Sequence, residues 1–224
     1  MPFALIFDVD GVIADTEPLS MRASSRAFHD LHGITVTEAE HLPYVGMTTW
    51  KQTEGIAAKH GLAIDTGELV AAQRENFLRG LEDAEDIVFP GVLEIFAGIS
   101  KYSEWRVALA TSSGRKRSEA TIRAAGIDAG GLSAWITGDD VQHPKPDPEI
   151  YLRVASELQL FPTQCVVIED SITGVEAAKA ASMHCVAVTN SFSGEHLRMA
   201  DRIVDSLEDV SITMLYDLVT DPAS

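Results

Sequence analysis

Short apolar, β-branched runs alternate with amphipathic helical patterns along most of this chain, and no other feature limits its fold as tightly. Ala4–Phe7, Val107–Ala110, Ala134–Ile136, Val166–Ile168 and Val186–Val188 read as strands, with Arg202–Val204 as a weaker sixth. The helical segments between them carry ordinary punctuation. Arg117–Ala125 stops at Gly126, a helix opened by Pro148 halts before Pro162, and Ile172–Ala181 is rich in Ala. Strands that alternate strictly with helices pair in parallel, and right-handed crossovers then place helices on both faces of the sheet. The expected class is α/β.

One stretch breaks the rhythm. From Thr16 to about Asp86 the patterns are helical throughout: Pro18–Leu31 ending at Gly33, Thr48–Lys59 ending at Gly61, and Glu68–Leu81 after Asp65-Thr66-Gly67. This block precedes the helix Val92–Ile99, so it reads as an all-helical insert after the first strand, with Pro90-Gly91 marking the return to the sheet. The expected division is a core of residues 1–15 and 87–224 and an insert of residues 16–86. A length of 224 residues holds a core with such an insert but not two large domains.

Charge narrows the partners. The chain has 17 Lys and Arg against 34 Asp and Glu, a net charge of −17, whereas nucleic acids and anionic membranes are held by basic clusters. Neither is an expected partner. A small phosphorylated metabolite is compatible with such a chain if the site supplies a divalent cation and a well-placed Lys. Cys165 and Cys185 lie beside strand-like runs without CxxC spacing and read as buried free thiols. The opening Met1-Pro2-Phe3-Ala4-Leu5-Ile6-Phe7 has no basic stretch, and its apolar run is too short to span a membrane. A cytoplasmic protein, monomeric or weakly dimeric, is expected.

Polar residues stand directly after the strand runs, where an open parallel sheet forms its ligand crevice. They are Asp8-Val9-Asp10-Gly11-Val12, Thr111-Ser112-Ser113-Gly114, Lys145-Pro146-Asp147 ahead of the Pro148 helix, and Glu169-Asp170. Taken singly, an Asp or Thr after a strand is ordinarily a helix cap or turn residue, and a lone Lys is ordinarily solvated. Together, Asp8, Asp10, Glu169 and Asp170 would repel at close range unless a divalent ion sat among them. A donor set of oxygens alone favours Mg²⁺ over a transition metal.

The order Asp8-x-Asp10-Gly11-Val12, Thr111-Ser112, Lys145-Pro146-x-Pro148, Glu169-Asp170 resembles the haloacid dehalogenase superfamily over nearly the whole chain. The helical insert falls where the cap of the phosphoglucomutase-like branch falls, and Asp15-Thr16-Glu17-Pro18-Leu19 resembles the entry to that cap. The resemblance implies a Rossmann-like core and a role for each matched residue. Asp8 is implied as the nucleophile that carries the phosphoryl group, and Asp10 as the general acid and then base. Mg²⁺ is implied on Asp8, the Asp10 carbonyl and Asp170, with Glu169 as a further or water-mediated ligand. Thr111, the Ser112 N–H and Lys145 are implied to hold the phosphoryl oxygens, and Gly11 to let backbone approach them.

Within this superfamily an acid at Asp10 points to phosphate esters and disfavours carbon–halogen cleavage. The resemblance also implies that the cap segment Tyr44–Lys51 faces the site, which makes Gly46, Thr48, Thr49 and Lys51, with Arg74, the expected substrate-facing residues. The β-phosphoglucomutase-type members carry basic residues where this chain has Val45, Thr49 and Gln73, so a phosphatase is favoured over a sugar phosphomutase. Trp50 and Met47 fit the insert's apolar core equally well. His29, His32, His41 and His60 lack metal-ligand spacing, and His143-Pro144 stiffens the approach to Lys145. A receiver-type signalling domain also gathers acids, a Thr or Ser and a Lys around Mg²⁺, but its paired acids and its phospho-accepting Asp follow different strands and it has no helical insert.

Overall fold

The computed structural model describes residues 1–44 and 47–220. Chain order runs β1 (Phe3–Phe7), α1 (Glu17–His32), α2 (Glu38–His41), α3 (Thr49–Lys59), α4 (Thr66–Glu82), α5 (Val92–Ile99), β2 (Trp105–Thr111), α6 (Arg115–Ala124) and β3 (Ala134–Thr137). It continues with α7 (Glu149–Leu158), β4 (Cys165–Glu169), α8 (Ile172–Ala180), β5 (His184–Val188), β6 (Arg202–Val204) and α9 (Ile212–Thr220). The strands form a single parallel sheet in the order β3-β2-β1-β4-β5-β6. This is the doubly wound, Rossmann-like arrangement, and its winding reverses between β1 and β4. A crevice therefore opens beyond the C-terminal ends of those two strands.

Side chains alternate across the sheet and so build two cores. Leu5 and Phe7 face α5, α6 and α9 through Val92, Ile95, Ile99, Ile122, Leu215 and Leu218. Phe7 stacks on Phe96 with ring centroids 4.7 Å apart, and burial of a side chain of that size contributes about 1.5–3 kcal/mol. Ala4 and Ile6 face the other way, onto Ile150, Tyr151 and Val154 of α7 and Val175 and Ala178 of α8. Cys165 and Cys185 are buried free thiols in that second core.

The helices α1 to α4 follow β1 and have a small core of their own around Phe28, Ile56 and Leu69. Leu19, Ala23, Phe77 and Leu81 join α1 and α4 to the larger cluster on the sheet. The chain leaves and re-enters the core side by side. Asp15 N donates to Ile87 O (2.7 Å), Phe89 N donates to Ile13 O (3.1 Å), and Ala14 pairs with Val88.

All six strand runs form, most of them longer than their apolar stretches because flanking residues such as Phe3, Trp105, Thr111, Thr137 and Cys165 still pair in the ladder. Helix α6 begins at Arg115, two residues before the expected start. Helix α2 was not apparent in the sequence; its four residues are held by a capping box between Thr37 and Glu40. Among the described residues, no helix is long and apolar enough to cross a membrane.

Candidate active site

The strand ends deliver the side chains. Asp8 directly follows β1 and is still anchored in the sheet, its N donating to Ile168 O at 3.0 Å. Thr111 is the last residue of β2, and Asp170 directly follows β4. Gly11 sits at φ +83°, and a Cβ there would lie 2.0 Å from Asp170 Oδ2. Glycine thus serves twice at this position, allowing the turn and leaving room for a carboxylate.

Lys145 comes from the loop before α7, and its ammonium is fully used: Nζ donates to Asp8 Oδ1 (2.7 Å), Glu169 Oε1 (2.7 Å) and Ala110 O (3.2 Å). Asp8, Asp10, Gly11, Thr111, Ser112, Lys145 and Asp170 line one cleft, together with Thr49 from the insert. Thr48 caps the start of α3 and, with Lys51, lines an adjoining recess against Ser112, Pro144 and Lys145. Arg74 opens on a different recess, between α1, α3, α4 and α6. Gly46 and Val45 lie outside the described residues. None of His29, His32, His41 and His60 lines the cleft.

Glu169 differs from its expected place among the metal ligands. It is fully buried beneath the cleft, where Oε1 accepts from Lys145 Nζ (2.7 Å) and Tyr151 Oη (2.8 Å). Its Oε2 accepts from the backbone N of Asp170 (3.0 Å) and Ser171 (3.0 Å) and from Ser171 Oγ (2.9 Å). With both oxygens engaged, it holds Lys145 and the start of α8 rather than facing the cleft.

Several residues given no role by sequence reasoning also meet here. Asp10 Oδ1 accepts from Thr16 Oγ1 and from Arg117 Nη2 (2.9 Å), and Oδ2 accepts from Ser113 Oγ (2.6 Å) and, more weakly, Thr111 Oγ1 (3.4 Å). Ser191 Oγ donates to Asp170 Oδ2. Strand parity marks Glu169, which shares its face of β4 with Cys165 and Val167 and so points toward α7 and Tyr151. Nothing in the sequence marks Arg117.

Burial sets the electrostatics. It pushes the Asp8 carboxyl up to about 7, with Glu169 and Asp10 adding repulsion that Lys145 only partly offsets. Asp170 is also driven well above the carboxylate range, first by burial and then by the charges of Glu169 and Asp8. Asp10 goes the other way. Burial opposes its charge, yet Arg117 and the hydroxyls of Ser113 and Thr16 together pull it down to about 2. Burial likewise opposes the Lys145 ammonium, but the carboxylates of Asp8 and Glu169 prevail and keep it charged. Two buried carboxylates with raised proton affinity, packed about a glycine turn, form a donor set that fits a hard divalent cation.

The family model for haloacid dehalogenase-like hydrolases matches residues 5–188. The phosphorylated carbohydrates phosphatase of Thermotoga maritima is 34% identical over 187 residues, 80% of this chain and 82% of that protein. SUPPRESSOR OF QUENCHING 1, a chloroplastic protein of Arabidopsis thaliana, is 34% identical over an alignment of 213 residues that covers 93% of this chain; the chain spans 20% of that protein's length. The crystal structure of CbbY from Rhodobacter sphaeroides in complex with phosphate matches with TM-score 0.86 at 29% identity, covering 96% of this chain and 99% of that one. A mutant of the same protein in complex with xylulose-(1,5)bisphosphate matches equally. The chain belongs to the haloacid dehalogenase-like hydrolase family.

Proposed function

We propose that the protein is a Mg²⁺-dependent phosphatase that hydrolyses a small phosphorylated metabolite, a phosphate monoester such as a sugar phosphate, with Asp8 carrying the phosphoryl group between two half-reactions. The observation that carries this reading is the buried Asp8, pinned by Lys145 through Oδ1 and so presenting Oδ2 to the cleft that Asp10 and Asp170 share. Relatives that act on phosphorylated carbohydrates or bind a sugar bisphosphate support the substrate class.

In the first half-reaction Asp8 Oδ2 bonds to phosphorus as the P–O ester bond breaks, and Asp10, ionised while the cleft is empty, takes up a proton as the phosphoryl anion enters and gives it to the departing oxygen. In the second, Asp10 takes a proton from water, whose oxygen bonds to phosphorus and releases Asp8. The Thr111 hydroxyl and the Ser112 N–H hold the phosphoryl oxygens, and the Lys145 ammonium, its three N–H bonds directed to Asp8, Glu169 and Ala110, offsets their charge from alongside. Asp8, the Asp10 carbonyl and Asp170 would hold Mg²⁺, which would supply the positive charge that lets two anions meet. Residues 16–86 act as a cap that covers the cleft and presents Thr49 to the leaving group. A phosphate-release screen over many esters, run with Mg²⁺ and with chelator, tests this reading; no ester turned over, or turnover indifferent to chelator, would contradict it.

Hydrolysis is favoured over mutase chemistry by what the cap offers a remote phosphate. Thr49 at the cleft is uncharged, and the carboxamide of Gln73 is buried and donates to Thr53 Oγ1 (3.0 Å). Supplied with β-glucose 1-phosphate and its bisphosphate activator, the protein is expected to release phosphate or do nothing. Efficient glucose 6-phosphate production in an assay coupled to glucose 6-phosphate dehydrogenase would overturn this.

The raised Asp8 and Asp170 give a pH signature. A carboxyl whose proton affinity is higher folded than unfolded stabilises the fold at low pH, and that stability is lost as pH rises through the folded value, here about 7 for Asp8. Mg²⁺ binds the ionised groups, so it restores what ionisation removes. The metal-free protein is expected to melt at a lower temperature at pH 8 than at pH 6, with Mg²⁺ raising the melting temperature more at pH 8. An equal or larger Mg²⁺ effect at pH 6 would contradict this.

A further inference from the structure

Arg117 lies in the first turn of α6, in the core, yet its contacts reach the helical insert as well as the reacting loop. Its Nη2 donates to Asp10 Oδ1 (2.9 Å) and to Ser20 Oγ in the first turn of α1 (2.7 Å). Its guanidinium carbon lies 3.7 Å from the ring centroid of Phe77 on α4. Phe77 is buried in the apolar cluster that joins α1 and α4 to the sheet, so the ring is a fixed platform. One planar cation thus touches the proposed acid and both long helices of the insert. A flat fork that stacks and hydrogen-bonds at once is a geometry lysine cannot reproduce.

The two oxygens of Asp10 are unlike. Oδ1 is taken by the Arg117 guanidinium, which can only donate, and by the Thr16 hydroxyl, whereas Oδ2 meets hydroxyls alone, those of Ser113 (2.6 Å) and Thr111 (3.4 Å). A hydroxyl can turn from donor to acceptor, but a guanidinium cannot. Oδ2 is therefore the oxygen free to carry a proton, on the side where Thr111 lines the cleft.

We propose that Arg117 is a positioning residue that couples docking of the helical insert to the aim of Asp10 Oδ2 at the leaving-group oxygen. The proposal rests on the reading of Asp10 as the acid. With the insert docked, Ser20 and Phe77 fix the guanidinium, and the guanidinium fixes Oδ1. Displacement of the insert removes both supports and leaves the carboxyl free to turn. In the step affected, the proton on Oδ2 passes to the ester oxygen, which keeps the electron pair of the breaking P–O bond, while Asp8 bonds to phosphorus.

Leaving-group dependence tests it. kcat/KM reports the step that expels the leaving group, and a series from p-nitrophenyl phosphate to unsubstituted phenyl phosphate raises the basicity of the leaving oxygen and with it the need for a proton. Arg117→Ala is expected to lose about 10²-fold on phenyl phosphate, the scale of a misaimed catalytic group, and little on p-nitrophenyl phosphate. Arg117→Lys, which keeps the charge, should fall between, and Ser20→Ala and Phe77→Leu should steepen the dependence in the same direction. Thermal melts identify any variant that fails to fold, and Arg117→Lys with Ser20→Ala then carry the test. Asp10→Asn is the control. If it steepens the dependence while the Arg117 variants lose activity uniformly along the series, the positioning role is wrong and the acid reading stands. An Arg117 effect without a Ser20 or Phe77 effect would refute the coupling to the insert. An Asp10→Asn dependence parallel to the parent enzyme would overturn both the acid reading and the proposal.

Discussion

Asp8→Asn is expected to bring Mg²⁺-dependent phosphate release down to the uncatalysed background. The amide has no charge to attack phosphorus with and is a poorer ligand for a divalent cation, so one change removes both the nucleophile and a metal donor. The fold should survive. The amide has the shape of the carboxyl, and Lys145 keeps its bonds to Glu169 and Ala110. It also removes a buried acid that repels Asp170, so the metal-free variant should melt no lower than the parent at pH 8. Phosphate release and a melting curve on the same sample separate loss of chemistry from loss of structure. Near-native turnover by a folded Asp8→Asn protein would remove Asp8 from the mechanism.

Asp10→Asn should cost roughly 10²–10⁴-fold in rate, the usual range for general acid–base catalysis. The substitution keeps the local bonding. The Asn carbonyl oxygen can still accept from Thr16 and Arg117, and the amide nitrogen can donate to the Ser113 hydroxyl, which turns to accept. The backbone carbonyl is unchanged, so Mg²⁺ should still raise the melting temperature as it does in the parent. The variant also lacks the base for the second half-reaction. A substrate with a good leaving group should then give a burst of one leaving group per protein, followed by slow release of phosphate. An unchanged rate would place the acid elsewhere, with Glu17 as the other carboxyl at the cleft mouth.

The residues at the strand ends were legible because strand order and chemistry point to the same place. Ala4–Phe7 and Val166–Ile168 announce buried strands, and parallel winding brings Asp8 and Asp170, just past their C-terminal ends, to one edge. The run of helices α1 to α4 was legible from the missing strand signal between Thr16 and Asp86. Chemistry alone does not say which of two neighbouring acids faces the cleft, since Glu169 and Asp170 are alike until β4 parity separates them. Arg117 was hidden for a different reason. Its partners Asp10, Ser20 and Phe77 lie 107, 97 and 40 positions away, and only the docking of α1 and α4 against α6 brings them together. The cap residues were legible only as a segment. Thr48 and Lys51 share a helix start with Thr49, yet the helix turns them into a neighbouring recess while Thr49 faces the cleft.

The central claim is a covalent phosphoryl group on Asp8, and it can be looked for directly. An acyl phosphate is reduced by borohydride to an alcohol, which converts an aspartyl-phosphate to homoserine. The protein is mixed with p-nitrophenyl phosphate and Mg²⁺, quenched within the first turnover, reduced, and digested for mass spectrometry. Homoserine at residue 8, greater in Asp10→Asn and missing when substrate is omitted, is the expected result. Unmodified Asp8 under conditions of active turnover, with phosphate on another side chain or on none, would contradict the account.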